Sequence, residues 1–199
     1  MLNSDFLSAL RDSISFAVSD ADAAVNSINE RFDSAATLLA ADFEMLASIP
    51  ELGEQGACFM RLAVSIAARR ISDGFKFARV HTEDEIVEYF KALFLTETSE
   101  VVYCMLFDGA DKAIACEFIS EGTVTTTEIL PRKMLEIAIK RHASSIIVAH
   151  NHPGGKPVAS VDDIVATEKI SSLFSHSGKR LLCHYVIAGA EYSKIDCPQ

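Results

Sequence analysis

No apolar run in this 199-residue chain reaches the ~18 to 20 residues needed to cross a bilayer, so a membrane-spanning helix is not expected. The opening Met1-Leu2-Asn3-Ser4-Asp5 lacks the basic start of a secretory signal, and the expected location is the cytoplasm. Five cysteines, Cys58, Cys104, Cys116, Cys183 and Cys197, are odd in number and show no Cys-x-x-Cys spacing. Neither a disulfide framework nor a thiolate zinc cluster follows, and the thiols are expected to be reduced and mostly buried. Basic side chains are also scarce, 18 against 28 acidic, for a formal net charge of −10. Non-specific nucleic-acid affinity rests on clustered Lys and Arg neutralising phosphates, so the charge argues against a general polyanion-binding surface and leaves room only for a local basic patch. The chain has no phosphate-cradling glycine loop, internal repeat or low-complexity tract.

What is present is a hydrophobic content of 49%, ample for one large core or for a small and a medium one. Residues 1 to 75 are rich in Ala, Leu, Ser and acids, with apolar residues at helical intervals around Phe32, Leu39 and Ala40 and again at Leu62, Ala63, Ile66 and Ala67. They read as a small all-α domain whose five basic and eleven acidic side chains leave a balance of −6. Residues 71 to 80 read as a linker around Asp73-Gly74, and the second domain is taken as 76–199. Thr82-Glu83-Asp84-Glu85 is a capping-box sequence opening a helix to about Phe94. From Val101 to Phe107 the pattern is that of a strand buried on both faces. Asp108-Gly109 turns it into a second strand over Ala113 to Ile119, and Glu121-Gly122-Thr123 closes the hairpin. A helix from Pro131 to about His142, with Met134, Ile137 and Ala138 on one face, precedes a strand over Ile146 to Ala149. A helix from Val161 to about Ser175 and a strand from Leu181 to Ala188 complete an α/β layer structure.

The chemistry gathers in one stretch, Ile146-Ile147-Val148-Ala149-His150-Asn151-His152-Pro153-Gly154-Gly155-Lys156-Pro157-Val158-Ala159-Ser160-Val161-Asp162-Asp163. Histidines spaced His-x-His on an extended chain point the same way, because side chains alternate with a period of two. A Gly/Pro loop of this length can return the next helix so that Asp163, in its first turn, offers an oxygen to the same point. Two nitrogens and one carboxylate leave a tetrahedral position open, as in catalytic rather than structural zinc. Ser160 and Asp163 equally read as an ordinary helix cap. His184, inside an apolar strand, reads as a hydrogen-bonded core residue or an outer partner of the ligands, and His81, His142 and His176 read as surface residues.

His150-x-His152, seven residues, Ser160, two more, then Asp163 resembles the metal-binding signature of the JAMM (MPN-type) metalloproteases. The wider wording, with His150-Asn151-His152-Pro153, Asp162-Asp163 and Cys183-His184-Tyr185-Val186-Ile187-Ala188-Gly189, resembles the bacterial RadC family, more thinly before about residue 75. The resemblance implies a JAMM/MPN (cytidine-deaminase-like) α-β-α sandwich preceded by a helix-hairpin-helix-like domain, the hairpin turn being Ile49-Pro50-Glu51-Leu52-Gly53-Glu54. It implies zinc on His150, His152 and Asp163, and a role for the Ser160 hydroxyl beside the oxyanion. JAMM enzymes carry their general base, a glutamate, near the start of a neighbouring strand. Glu100 matches that position, with Glu117 and Glu121 as competitors. The function implied is hydrolysis of amide or isopeptide bonds in a protein or peptide substrate. A non-catalytic module associated with DNA repair, its metal holding a loop, is the second expectation, and a metal-free scaffold the third. Nothing in the sequence indicates an oligomeric state.

Overall fold

The computed structural model describes residues 2–122 and 129–197; Thr123, expected to help close the hairpin, lies outside them. The chain divides into two compact units, residues 1–70 and 71–199.

The first unit holds α1 (Ser4–Ile14), α2 (Ala21–Arg31), α3 (Ala35–Leu39), α4 (Phe43–Ala47) and most of α5 (Gly53–Gly74). Side chains of Asn3, Asp20 and Asp42 cap α1, α2 and α4 by accepting from amides in the first turns. Ile14, Ile28, Leu38, Leu46 and Ile49 form the centre of its core. The apolar spacing marks helices here without fixing their ends or their buried faces. Phe32 to Ala40 is not one helix, because the chain leaves helical geometry at Phe32, the C-cap of α2, and restarts at Ala35. Helix α5 buries Ala57, Met60, Val64 and Ala68, while Leu62, Ala63, Ile66 and Ala67 are exposed. Both faces of α5 carry apolar residues four apart, so periodicity alone does not choose the buried one. The helix also runs through Gly74, into the segment expected as linker.

The second unit is a mixed five-stranded sheet in the order β2-β1-β3-β4-β5, with β1 Val101–Phe107, β2 Ala113–Glu121, β3 Ser145–Asn151, β4 Arg180–Ala188 and β5 Glu191–Ile195. Strands β1 and β2, β1 and β3, and β4 and β5 pair antiparallel, whereas β3 and β4 pair parallel. Helix α6 (Glu83–Phe94) covers one face; α7 (Ile129–Lys140) and α8 (Val161–His176) cover the other. The period of two sorts the strands between two cores. Val101, Met105, Phe107, Ile147, Ala149, Cys183, Tyr185 and Ile187 meet Ile86, Phe90 and Phe94 of α6. Val102, Cys104, Leu106, Ile146 and Val148 meet Met134 and Ala138 of α7 and Ala166, Ile170 and Phe174 of α8. All seven residues of β3 are buried, as a strand covered on both faces requires.

Helices α6 and α8 both open on a capping box, Thr82/Glu85 and Ser160/Asp163. Helix α7 starts two residues before the expected Pro131, and β2 runs two residues past Ile119. Strand β5 was not anticipated: Glu191-Tyr192-Ser193-Lys194-Ile195 has only one fully buried position, so it carries no strong apolar signal. His81 is not a surface side chain, since its ring is wholly covered and stacks on Phe75 at 3.8 Å. All five cysteines are free; Cys104 and Cys183 are buried, but Cys58 is exposed. No helix among the described residues is long and apolar enough to cross a membrane.

Candidate metal centre

His150 follows Ile146 and Val148 at steps of two, so it faces α8 from the end of β3. His152 continues on the same side after the ladder ends, its amide donating to the Ile187 carbonyl of β4 at 2.8 Å. The loop then turns at Gly154, in the left-handed region at φ +66°, and Gly155 donates back to the His152 carbonyl. Helix α8 starts at Ser160, which accepts from the Asp163 amide at 3.1 Å; the Asp163 carboxylate in turn accepts from the Ser160 amide and hydroxyl, both at 2.7 Å. The cap of the helix is therefore also what aims the carboxylate.

The three side chains meet. His150 Nε2 lies 3.0 Å from His152 Nε2 and 3.5 Å from Asp163 Oδ1, and His152 Nε2 lies 3.8 Å from Asp163 Oδ2. Zinc bonds of about 2.0–2.1 Å at tetrahedral angles would separate ligand atoms by roughly 3.3 Å, in the middle of these values. His150 is fully buried and Asp163 is 3% exposed, while His152 is partly open. One side of the cluster is dry and the other faces solvent.

Hydrogen bonds behind the cluster decide which ring nitrogens carry protons. Thr167, one turn after Asp163, donates its hydroxyl proton to the Asp163 carbonyl at 2.6 Å. Its oxygen can then only accept from His184 Nδ1, 2.7 Å away. His184 Nε2 is left as an acceptor, so His150 Nδ1, at 2.8 Å, is the donor and His150 Nε2 presents a lone pair. Independently, His152 Nδ1 lies 3.0 Å from the Lys156 carbonyl, which only accepts, so His152 Nε2 is also the lone-pair side. Two lone pairs and a carboxylate thus converge on one point, an arrangement that repels itself unless a cation sits between them. The residues present fit a divalent metal, with His184 and Thr167 as the outer partners that orient the first histidine.

The electrostatics agree. Burial and the neighbouring His150 push His184 down to about 3, keeping it neutral as the relay requires. Burial works to raise Asp163, but the neighbouring His150 and the hydrogen bonds from the Ser160 hydroxyl and amide outweigh it and hold the carboxyl well below the usual carboxylate range.

The three sequence-derived acids separate. Val102 lies opposite His150 in the last pair of the β1–β3 register, and Glu100 stands just ahead of β1 at that same end of the sheet. Glu117, opposite Cys104, is engaged by Arg141 farther down the sheet. Glu121, opposite Val101, has the parity of the α6 side and accepts from the Ser99 hydroxyl at 2.6 Å. Ser160 is the N-cap of α8, its hydroxyl proton committed to Asp163. Thr167 escaped the sequence reading, although a threonine one turn after Asp163 is a usable signal.

A mixed α/β sheet that gathers two histidines and a helix-capping aspartate at one strand end belongs to the JAB class of domains. The chain is a member of the RadC family, whose model, described as the RadC-like JAB domain, matches residues 80–196. A UPF0758 protein of Bordetella parapertussis is 30% identical over 161 residues, which are 80% of this chain and 72% of the relative. One from Cupriavidus necator is 30% identical over 169 residues, 84% and 74% of the two chains. One from Xanthomonas campestris pv. campestris is 32% identical over 143 residues, 71% and 64%.

Proposed function

We propose that this chain is a zinc-dependent hydrolase of amide bonds in a protein or peptide substrate, peptide or isopeptide. The observation that carries the reading is the convergence of two imidazole nitrogens and the Asp163 carboxylate, within 4.8 Å of one another, at the solvent edge of a buried cluster. Zinc held by His150, His152 and Asp163 supplies Lewis acidity, polarising a carbonyl and lowering the pKa of water into the neutral range. Glu100 takes the proton of the attacking water and passes it to the leaving amine. What supports Glu100 over its rivals is its place just ahead of the β1 end that pairs with His150, against the Arg141 ion pair of Glu117 and the Ser99 bond of Glu121. Ser160 holds the carboxylate in place; a direct bond from its hydroxyl to the oxyanion requires it to let go of Asp163 first.

The test is metal analysis of untagged protein followed by a peptide library. Zinc is expected at close to one equivalent, and Glu100→Gln is expected to abolish turnover with the metal retained. Less than about a tenth of an equivalent, with none taken up on addition, would refute the reading.

A second reading, a non-catalytic module associated with DNA repair in which the metal holds a loop, draws on the first unit. There α4, a short turn and α5 meet with Gly53 in the left-handed conformation at φ +60°, as a helix-hairpin-helix-like turn needs. The acid excess of that segment speaks against phosphate contact. Salt-sensitive DNA binding by the full chain would favour this reading, and its absence the hydrolase.

A further inference from the structure

Main-chain pairing between β1 and β3 stops at Val102 and His150, because the chain turns away beyond Asn151. The next contact between the two segments is made by a side chain. Asn151 Oδ1 accepts from the Val101 amide at 2.7 Å, and its Nδ2 donates to the Ser99 carbonyl at 3.0 Å. These two groups belong to the peptide units on either side of the Glu100 Cα, so one planar amide grips the main chain before and after that residue. The Glu100 carbonyl is also taken, by the Gly122 amide at 2.8 Å. Asn151 is 4% exposed, so water does not compete for these bonds. The chemistry demanded is narrow. Aspartate has no donor for the Ser99 carbonyl, and leucine, similar in size, has neither donor nor acceptor. Parity adds the rest: His150 and His152 point to one side of the strand end while Asn151, between them, points away and reaches across to β1.

We propose that Asn151 is a positioning residue that fixes the main chain of Glu100 relative to the His150–His152–Asp163 cluster. The strand end that carries two metal ligands thereby also sets where the carboxylate hangs. The use made of Glu100 rests on the hydrolase reading above; the clamp itself does not.

The experiment separates the two. Amide hydrogen exchange is measured on the full chain, wild type against Asn151→Ala and Asn151→Asp, together with zinc affinity by chelator competition. In Asn151→Ala, exchange at Val101 is expected to rise at least about tenfold while Met105 and Leu106 stay protected, with zinc affinity within about threefold of wild type. Asn151→Asp keeps the acceptor for Val101 and is expected to retain its protection there, so it carries the comparison if alanine destabilises the fold. Where the zinc-loaded protein hydrolyses a library peptide, both variants are expected to lose at least about tenfold in kcat at unchanged KM, with no further loss when combined with Glu100→Gln. Unchanged exchange at Val101 in Asn151→Ala overturns the proposal. So does zinc affinity that falls in step with turnover, because the residue would then be serving the histidines. Wild-type protein that binds zinc but cleaves nothing sinks the hydrolase reading alone, and the exchange and affinity results still decide the clamp.

Discussion

Replacing Thr167 with valine tests the proton relay behind His150. The substitution keeps the branched shape and removes one hydroxyl from a place where Thr167 and His184 are each 1% exposed. In the metal-free protein the imidazole protons can rearrange: His184 moves its proton to Nε2 and donates to His150, whose own proton moves to Nε2 and points at His152 Nε2, so the hydroxyl's two hydrogen bonds are lost and one is gained, a net loss of about 1 kcal/mol. Metal binding closes that route. With Nε2 of His150 given to zinc, the His150 proton must sit on Nδ1 and point at His184 Nε2, so His184 must carry its own proton on Nδ1, facing a methyl group. A buried donor left without an acceptor costs about 1–3 kcal/mol. At 1.4 kcal/mol per factor of ten, zinc affinity should fall by about 5- to 150-fold. Thr167→Ser, which restores the hydroxyl, should recover most of it. Chelator competition gives the zinc Kd, and urea unfolding of the metal-free protein gives the smaller stability loss. A folded Thr167→Val protein that binds zinc within about twofold of wild type would refute the assignment of protons along Thr167, His184 and His150.

Zinc at a hundred times its Kd should stabilise the protein by about 2.7 kcal/mol in urea unfolding, and His152→Ala should abolish that gain while leaving the metal-free midpoint nearly unchanged. Ser160→Ala should cost about 1 kcal/mol through loss of the α8 cap, read as a lower urea midpoint at constant slope, with Ser160→Thr recovering most of it. His184 titrates at about 3 when folded and near 6.5 when unfolded, so the unfolded chain takes up a proton that the folded one refuses. Metal-free stability should therefore be undiminished by this group above pH 6.5 and fall by about 1.4 kcal/mol per pH unit as the pH drops toward 3. His184→Gln should flatten that slope between pH 6 and 4, and parallel slopes would count against a buried neutral imidazole.

The parts of the site legible in the sequence are those set by short-range geometry. His150 and His152 share a side because a strand alternates, and Ser160 and Asp163 meet because residues three apart at a helix start do. Asn151 was not legible, and Thr167 only by its spacing from Asp163, because their other partners come from strands whose register is set by the whole sheet: His184 is 17 residues from Thr167, and Val101 is 50 from Asn151. Strand β5 was missed for want of apolar alternation, and the buried face of α5 was not legible because that helix carries apolar residues on both sides. The Arg141 partner of Glu117 and the Ser99 partner of Glu121 were not legible, since they depend on how β1 and β2 pair and on which helix packs beside them.

The parallel pairing of β3 with β4 bears on the order in which the site matures. All three candidate ligands have been synthesised once Asp163 leaves the ribosome, yet the His152 amide is anchored to Ile187 and the His150 ring is steered by His184, both on β4. A nascent chain halted after α8 would carry every ligand and still lack the strand that seats two of them. Tight zinc uptake would then report that the crossover is complete, and a chain truncated at His176 should hold the metal far more weakly than its unchanged ligand set would lead one to expect.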